Sequence, residues 1–337
     1  MALARLDGYA MAVTDSTKFS GVVLVAHEGK IVFEKAYGPR DPKSEALASV
    51  HTRYNLASAG KMFTATAILQ LVESGKLTLD SNVGSVLADY PNRELAEKVT
   101  IRHLLTHMGG TGDVDLFGTE NADNRKRVRS VEDVIALHSD RPLAFEPGTQ
   151  QQYGNFGHVI LGRIVEILSG ETFEAYVKKH IFARAQMTAT DFADCTQASG
   201  DIAAGYVEVE GNMVSNCATL PARGFPAGGQ VSTARDMLRF VEALRTGVLL
   251  EQDMFAAAIK PQHEFMGLGF FATGYGRDVP ARDFRWGHGG SADGICTDVR
   301  TYPTTGETII ILSNRDAPTC YDVSNLLHRV WNDPKHH

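Results

Sequence analysis

The stretch NLASAGKMFTATAILQLVESGKL, Asn55 to Leu77, sets a serine three residues ahead of a lysine at the mouth of a helix. Phe63, Ala67 and Leu71, with Leu69 and Val72, recur at helical spacing and predict an amphipathic helix that starts near Ser58. Residues three apart share a helix face, so the Lys61 amine can reach the Ser58 hydroxyl. A serine is a weak nucleophile until a base takes its proton. A lysine becomes such a base when burial or nearby cations disfavour its charged form. The helix N-terminus adds unpaired backbone N–H groups and a positive dipole end, both suited to a developing oxyanion. No other lysine in the chain follows a serine at this spacing.

Ahead of that helix, SGVVLVAHEGKIVFEKAYG reads as two strands joined at Glu28-Gly29, and MALARLDGYAMAVTDS as an opening helix. Behind it, from Asp80 to about Ser215, the helical patterns TIRHLLTHM, SVEDVIALHS, GHVILGRIVEILSG and TFEAYVKKHIF alternate with Gly- and Pro-bearing loops. The tail offers the helix TARDMLRFVEALRTG, then MGLGFFATGYG, DFRWGHGGS, GICTDVRTYP and ETIIILSN as short strands, then the helix YDVSNLLHRVW. Strands at both ends with helices between them predict an α/β fold of the α+β type. An antiparallel sheet is built from both chain termini and flanked by helices, and a mostly helical lobe is inserted in it. The expected domains are 1–79 with 216–337 for the sheet and 80–215 for the helical insert. Ligand sites favour such junctions.

Composition narrows the partners. The 337 residues carry a net charge of -7 and no concentrated basic stripe, which speaks against nucleic acid and anionic membrane. NRKRVR, Asn124 to Arg129, follows the acidic GDVDLFGTENAD and reads as a solvated loop face. Cys195, Cys217, Cys296 and Cys320 form no C-x-x-C pair and fit neither a zinc knuckle nor a dense disulfide framework, so buried free thiols are expected. No apolar run reaches membrane-spanning length, and the N-terminus has no cleavable apolar core. A cytoplasmic location is the expectation, or a periplasmic or secreted one if a leader has been trimmed. His103 and His107 have the i, i+4 spacing of a zinc pair but lack the intervening Glu, so neither a metal nor a cofactor is expected. Leu56 breaks the Gly-x-Ser-x-Gly pattern of a nucleophile elbow.

Four stretches in order, YNLASAGKMFTATAILQLVESGKLTLDSNV with VTIRHLLTHMGG, FEPGTQQQYGNFGHVILGRIVEILSG, FPAGGQVSTARDMLRFVEAL and WGHGGSADG, resemble the serine beta-lactamase-related superfamily over nearly the whole chain. That group holds class C beta-lactamases, DD-peptidases, D-aminopeptidases and beta-lactamase-like carboxylesterases. The resemblance implies Ser58 as nucleophile and Lys61 with Tyr153 as a coupled base. Asn155 of the Tyr153-Gly154-Asn155 motif would orient the amine and the substrate. Tyr90-Pro91-Asn92 is the weaker match, because it lacks the Pro-Gly-Thr approach and ends a helical pattern. Of the three His-x-Gly runs, at His27, His107 and His288, only His288-Gly289-Gly290 falls on a late strand. It would be the third, substrate-orienting motif, and the backbone N–H groups of Ser58 and Ser291 would form the oxyanion hole.

Gly289 stands where many relatives place a hydroxyl residue, and His288 where many place a lysine. Both changes disfavour a carboxylate-anchored beta-lactam. Gly60 and Gly154 are expected to widen the pocket, whose walls should come from residues 112–130 and 206–223. The implied activity is acyl transfer by a serine hydrolase on a small-molecule ester, amide or beta-lactam, most of all as a beta-lactamase-like carboxylesterase. The alternatives are a D-amino-acid peptidase or DD-carboxypeptidase, a weak beta-lactamase, or a non-catalytic binding protein on the same fold.

Overall fold

The computed structural model describes residues 19–44, 46–197, 200–274 and 280–331, together with Gly8. Apart from Gly8, the expected opening helix lies outside the described residues. A six-stranded sheet holds β1 (Gly21–His27), β2 (Lys30–Tyr37), β3 (Phe271–Thr273), β4 (Arg285–Ala292), β5 (Ile295–Tyr302) and β6 (Glu307–Ser313). Its order is β2-β1-β6-β5-β4-β3, with every neighbouring pair antiparallel. Gly21 pairs with Ser313 and His27 with Glu307, so the two ends of the chain meet inside the sheet. The β1–β2 turn is Glu28-Gly29, with φ of 49° and 74°, the geometry that a two-residue hairpin favours.

The continuous run VVLVA in β1 follows from burial on both faces. Val22, Leu24 and Ala26 enter the main hydrophobic cluster, while Val23 and Val25 enter a second one. In β6, Ile310 and Leu312 go to the first and Ile309 and Ile311 to the second. Four long helices organise these layers: α1 (Lys61–Glu73), α2 (Phe156–Ser169), α3 (Ala234–Arg245) and α4 (Thr319–Trp331). α3 covers one sheet face with Met237, Phe240 and Val241, and α4 the other with Cys320, Val323 and Leu327. Shorter helices, among them Ile101–Leu105 and Val131–His138, fill the middle of the chain, as the sequence implies.

Four local expectations need correction. α1 is not amphipathic: Lys61 to Leu69 are all buried, and Phe63 meets Phe182 and Phe240 edge-on at 5.0 and 4.9 Å. A helix enclosed on all sides carries small and apolar residues all round. Asn92 opens the helix Arg93–Lys98, its side chain accepting from the Leu95 N–H, and does not end one. NRKRVR overlaps the helix Ala122–Arg127, and Arg125 donates inward to the carbonyls of Leu116, Gly118 and Ala218. The four cysteines are not free thiols but two disulfides, Cys195–Cys217 and Cys296–Cys320. The fold brings their Cα atoms to 5.8 and 5.5 Å across 22 and 24 residues, a proximity that linear spacing does not encode.

Candidate active site

Ser58 lies in a short 3-10 turn, Ala57–Gly60, and the α-helix proper starts only at Lys61. The tighter turn eclipses residues i and i+3, which sets Ser58 directly over Lys61. Ala57, immediately before the serine, has φ 43°, a left-handed conformation costly for a residue with a Cβ. It is held there by Asn55, whose side chain accepts the Ala57 N–H at 2.8 Å, and by Gly229, which donates to the Ala57 carbonyl at 3.0 Å.

Lys61 is fully buried. Its Nζ lies 3.0 Å from Ser58 Oγ, 2.6 Å from Asn155 Oδ1 and 2.8 Å from the Ala227 carbonyl. Burial pulls its pKa down to about 7, against an opposing upward pull from the Asp113 carboxylate. Tyr153 joins from the other side. Its ring centroid is 4.9 Å from Lys61 Nζ, and the Ser58 side chain near its hydroxyl favours the ionised phenol. Desolvation pushes this phenol above its ordinary range. The side chain stays 42% exposed, so the push is smaller than full enclosure would give.

Two residues that the sequence patterns do not single out complete the constellation. Asp113 Oδ1 accepts both the Asn155 N–H, at 3.2 Å, and its Nδ2, at 2.8 Å. That orientation leaves Asn155 Oδ1 for Lys61. His158, on α2, stacks on His107 at 5.0 Å and is fully buried. His107 turns out to hold the tyrosine segment rather than to close a metal pair. Its carbonyl accepts the Gln152 N–H, its Nδ1 accepts the Gly154 N–H, and its ring lies 4.3 Å from that of Tyr153. His103 serves the capping box of helix Ile101–Leu105. Burial drives His107 and His158 well below the ordinary imidazole range, so both are neutral.

His288, Gly289 and Gly290 lie on β4, beside this group. His288 is buried, stacks on Phe271 at 4.0 Å, and is depressed to about 3 by burial and by Lys61. A Cβ on Gly290 would stand 2.3 Å from the Leu56 carbonyl oxygen and 2.9 Å from Ser58 N, so only glycine lets β4 pass this close to the turn. Gly60 and Gly154 do not widen the pocket. Their missing Cβ positions are taken by Gln230 Oε1 at 1.9 Å and the Gly112 carbonyl at 2.3 Å, so both serve close packing.

A cleft of about 370 Å³ opens over Ser58 and Asn155. Phe117, Gly118 and Glu120 wall one side, Leu220, Pro221 and Arg223 another, and Ser291 to Asp293 the rim. Both expected stretches of chain therefore contribute. The Gly118 N–H donates to the Thr219 carbonyl, joining the two walls, and the Cys195 N–H donates to the Ala222 carbonyl beside the first disulfide. Among the described residues, no helix is long and apolar enough to cross a membrane.

Comparison with known proteins identifies the family and the fold. The family model described as Beta-lactamase matches residues 7–329. The penicillin-binding protein PbpX of Bacillus subtilis (strain 168) is 30% identical over 257 residues, covering 76% of this chain and 62% of that protein. This chain thus spans less than two thirds of that relative. The crystal structure of a penicillin binding protein from Bacillus halodurans matches with TM-score 0.83 and 30% identity, covering 95% of this chain and 99% of that one. The fold alone is shared, at 21% identity, with D-amino acid amidase from Ochrobactrum anthropi SV3 (TM-score 0.78, covering 97% and 98%). It is shared likewise with EstCE1, described as a hydrolase with promiscuous acyltransferase activity (TM-score 0.79, 21% identity, 97% of each chain). The chain belongs to the Beta-lactamase family, within the beta-lactamase-like serine hydrolase superfamily.

Proposed function

We propose that the protein hydrolyses ester or amide bonds through an acyl-enzyme on Ser58, as a carboxylesterase-type member of its family. The reading rests above all on the partners of the Lys61 amine. The Asn155 amide oxygen and the Ala227 carbonyl can only accept, whereas Ser58 Oγ can also donate. A neutral amine satisfies all three together: two hydrogens go to the carbonyl oxygens, and the lone pair faces the serine proton. With a pKa near 7, that neutral form is well populated at physiological pH.

In this mechanism Ser58 Oγ attacks the carbonyl carbon as its proton passes to Lys61. The oxyanion is met by the N–H groups of Ser58 and Ser291. Tyr153, kept protonated by desolvation, gives its proton to the leaving atom and recovers one from Lys61. Water then attacks the acyl-enzyme by the reverse route, and Ser58 is regenerated. Asn155, itself aimed by Asp113, holds the amine in line. Neither His288, uncharged at neutral pH, nor Gly289 offers a carboxylate an anchor.

One observation favours amides of amino acids with a free amine as a second reading. Glu120 and Asp293 line the cleft, while the Arg223 guanidinium beside them is already paired with Glu174 at 2.9 Å. The wall is therefore left with excess negative charge. A non-catalytic binding protein on this fold would have no use for a buried lysine beside a serine.

Labelling with a serine-reactive phosphonate, read by mass spectrometry, tests the core of the reading. Wild type should carry one adduct on Ser58, and Ser58→Ala none; an undiminished adduct would place the nucleophile elsewhere. Tyr153→Phe should lower kcat on an alkyl ester, whose alkoxide leaving group needs a proton, by about 10²–10⁴-fold. A loss below about threefold would remove Tyr153 from the proton path.

A further inference from the structure

Four successive carbonyls on one wall of the cleft are met by side chains rather than by backbone. Residues 115–118 belong to no helix or strand. The Asp115 carbonyl accepts from Asn124 Nδ2 at 2.9 Å and that of Phe117 from Asn121 Nδ2 at 2.7 Å. The carbonyls of Leu116 and Gly118 share one donor, Arg125 Nη1, at 3.0 and 2.6 Å. Carbonyls outside regular structure need such partners, and here they hold the wall in shape.

Arg125 does more than its neighbours. Its Nη2 crosses to the opposite wall and donates to the Ala218 carbonyl. One guanidinium thus bonds the stretch that carries Phe117 and the stretch that carries Leu220 and Pro221. That second stretch is fixed from its own side. Cys217 is bonded to Cys195, the Cys195 N–H donates to the Ala222 carbonyl, and Asn216 Nδ2 donates to the Asp293 carbonyl on the rim. Arg125 therefore sets one wall against a wall already pinned. A planar fork of donors can face two ways at once, which the single ammonium of a lysine cannot.

The space between the walls has an apolar lining of Phe117, Leu220, Pro221, Phe225 and Ile295, with the rings of Phe117 and Phe225 6.4 Å apart. Glu120, Arg223 and Asp293 supply its charge. The proposed mechanism decides which half of the substrate lies there. Tyr153 protonates the leaving atom, and its ring stands 6.3 Å from that of His288. The cleft borders β4 at Ser291 instead, three residues and about 10 Å further along the strand. Leaving group and acyl group lie on opposite sides of the carbonyl carbon, so the cleft receives the acyl group.

We propose that this acyl group is an uncharged, apolar chain or ring held between Phe117 and Leu220, and that Arg125 is the positioning residue that sets the width of its pocket. The proposal rests on the acyl-enzyme reading of Ser58 and extends it to a substrate class.

Two pairs of esters test it: p-nitrophenyl acetate with p-nitrophenyl hexanoate, which differ in the acyl group, and ethyl acetate with hexyl acetate, which differ in the alcohol. Wild type should show a higher kcat/KM for the hexanoate than for p-nitrophenyl acetate. Arg125→Lys keeps the charge and loses the fork. Its hexanoate to acetate ratio should fall about fourfold for each methylene group that the parted walls leave uncovered, with the loss in KM rather than kcat. The hexyl to ethyl ratio should stay as in wild type, because the alcohol departs on the Tyr153 side. Arg125→Ala should lower the hexanoate ratio at least as far; Arg125→Lys and Arg125→Gln, which keep a long side chain, read the same ratio even where the alanine variant does not fold. An equal loss on both p-nitrophenyl esters, as from a merely structural arginine, overturns the proposal. An unchanged ratio, a wild-type preference for the acetate, or a shift in the alcohol pair alone overturns it as well. Loss of the wild-type phosphonate adduct would instead bring down the acyl-enzyme reading itself.

Discussion

In the proposed mechanism Lys61 works as a base only while it is neutral, so the rate should follow its ionisation. The kcat/KM for an uncharged ester should rise as pH climbs through about 7, where the amine loses its proton. Asp113 holds that midpoint up, because its carboxylate favours the charged amine. Asp113→Asn keeps an oxygen for Asn155 to bond but removes the charge, and should move the acidic limb of the pH profile to lower pH. A limb that stays in place would show that Asp113 does not act on Lys61. Ser58 and Lys61 were legible in sequence because their relation is local, one turn of chain. Asp113 was not, because its role is set by hydrogen bonds to Asn155, 42 residues away. His107 was visible as a residue and misleading as a pattern, since its i, i+4 partner His103 caps a helix and points to other work.

Strands and helices were readable wherever burial is one-sided or turns are marked. Glu28-Gly29 announced its hairpin, and the 3.6-residue pattern of VEDVIALH its helix. The nucleophile turn was less legible. A 3-10 turn and an α-helix share nearly the same spacing, and α1 owes its full burial to neighbours that come later in the chain. Close contact between β4 and this turn is the feature on which the proposed oxyanion site depends. Gly290→Ala forces a Cβ to 2.3 Å from the Leu56 carbonyl oxygen, so one backbone must move. A shift near 1 Å costs about 10²-fold in rate, and kcat on p-nitrophenyl acetate should drop by that order while far-ultraviolet circular dichroism stays native. Near-normal turnover would mean that β4 can retreat without disturbing Ser291.

At the scale of the whole molecule, the largest departure from the sequence reading is the pair of cross-links. Each closes a loop of just over 20 residues, which in the chain-entropy account stabilises the native state by about 3 kcal/mol. Chemical denaturation with and without reductant should therefore show a clearly lower midpoint for the reduced protein. Coincident curves would show that the bonds add nothing to stability. Sheet topology has a consequence of another kind, in the order of synthesis. Ser58 is made early, yet β4, β5, β6 and α4 all come from residues 285–331, and β1 has no β6 beside it until Ser313 exists. A nascent chain on the ribosome can present its serine and lysine long before it can present an oxyanion hole. In the proposed mechanism the chain therefore becomes reactive only when residues 285–331 have folded home.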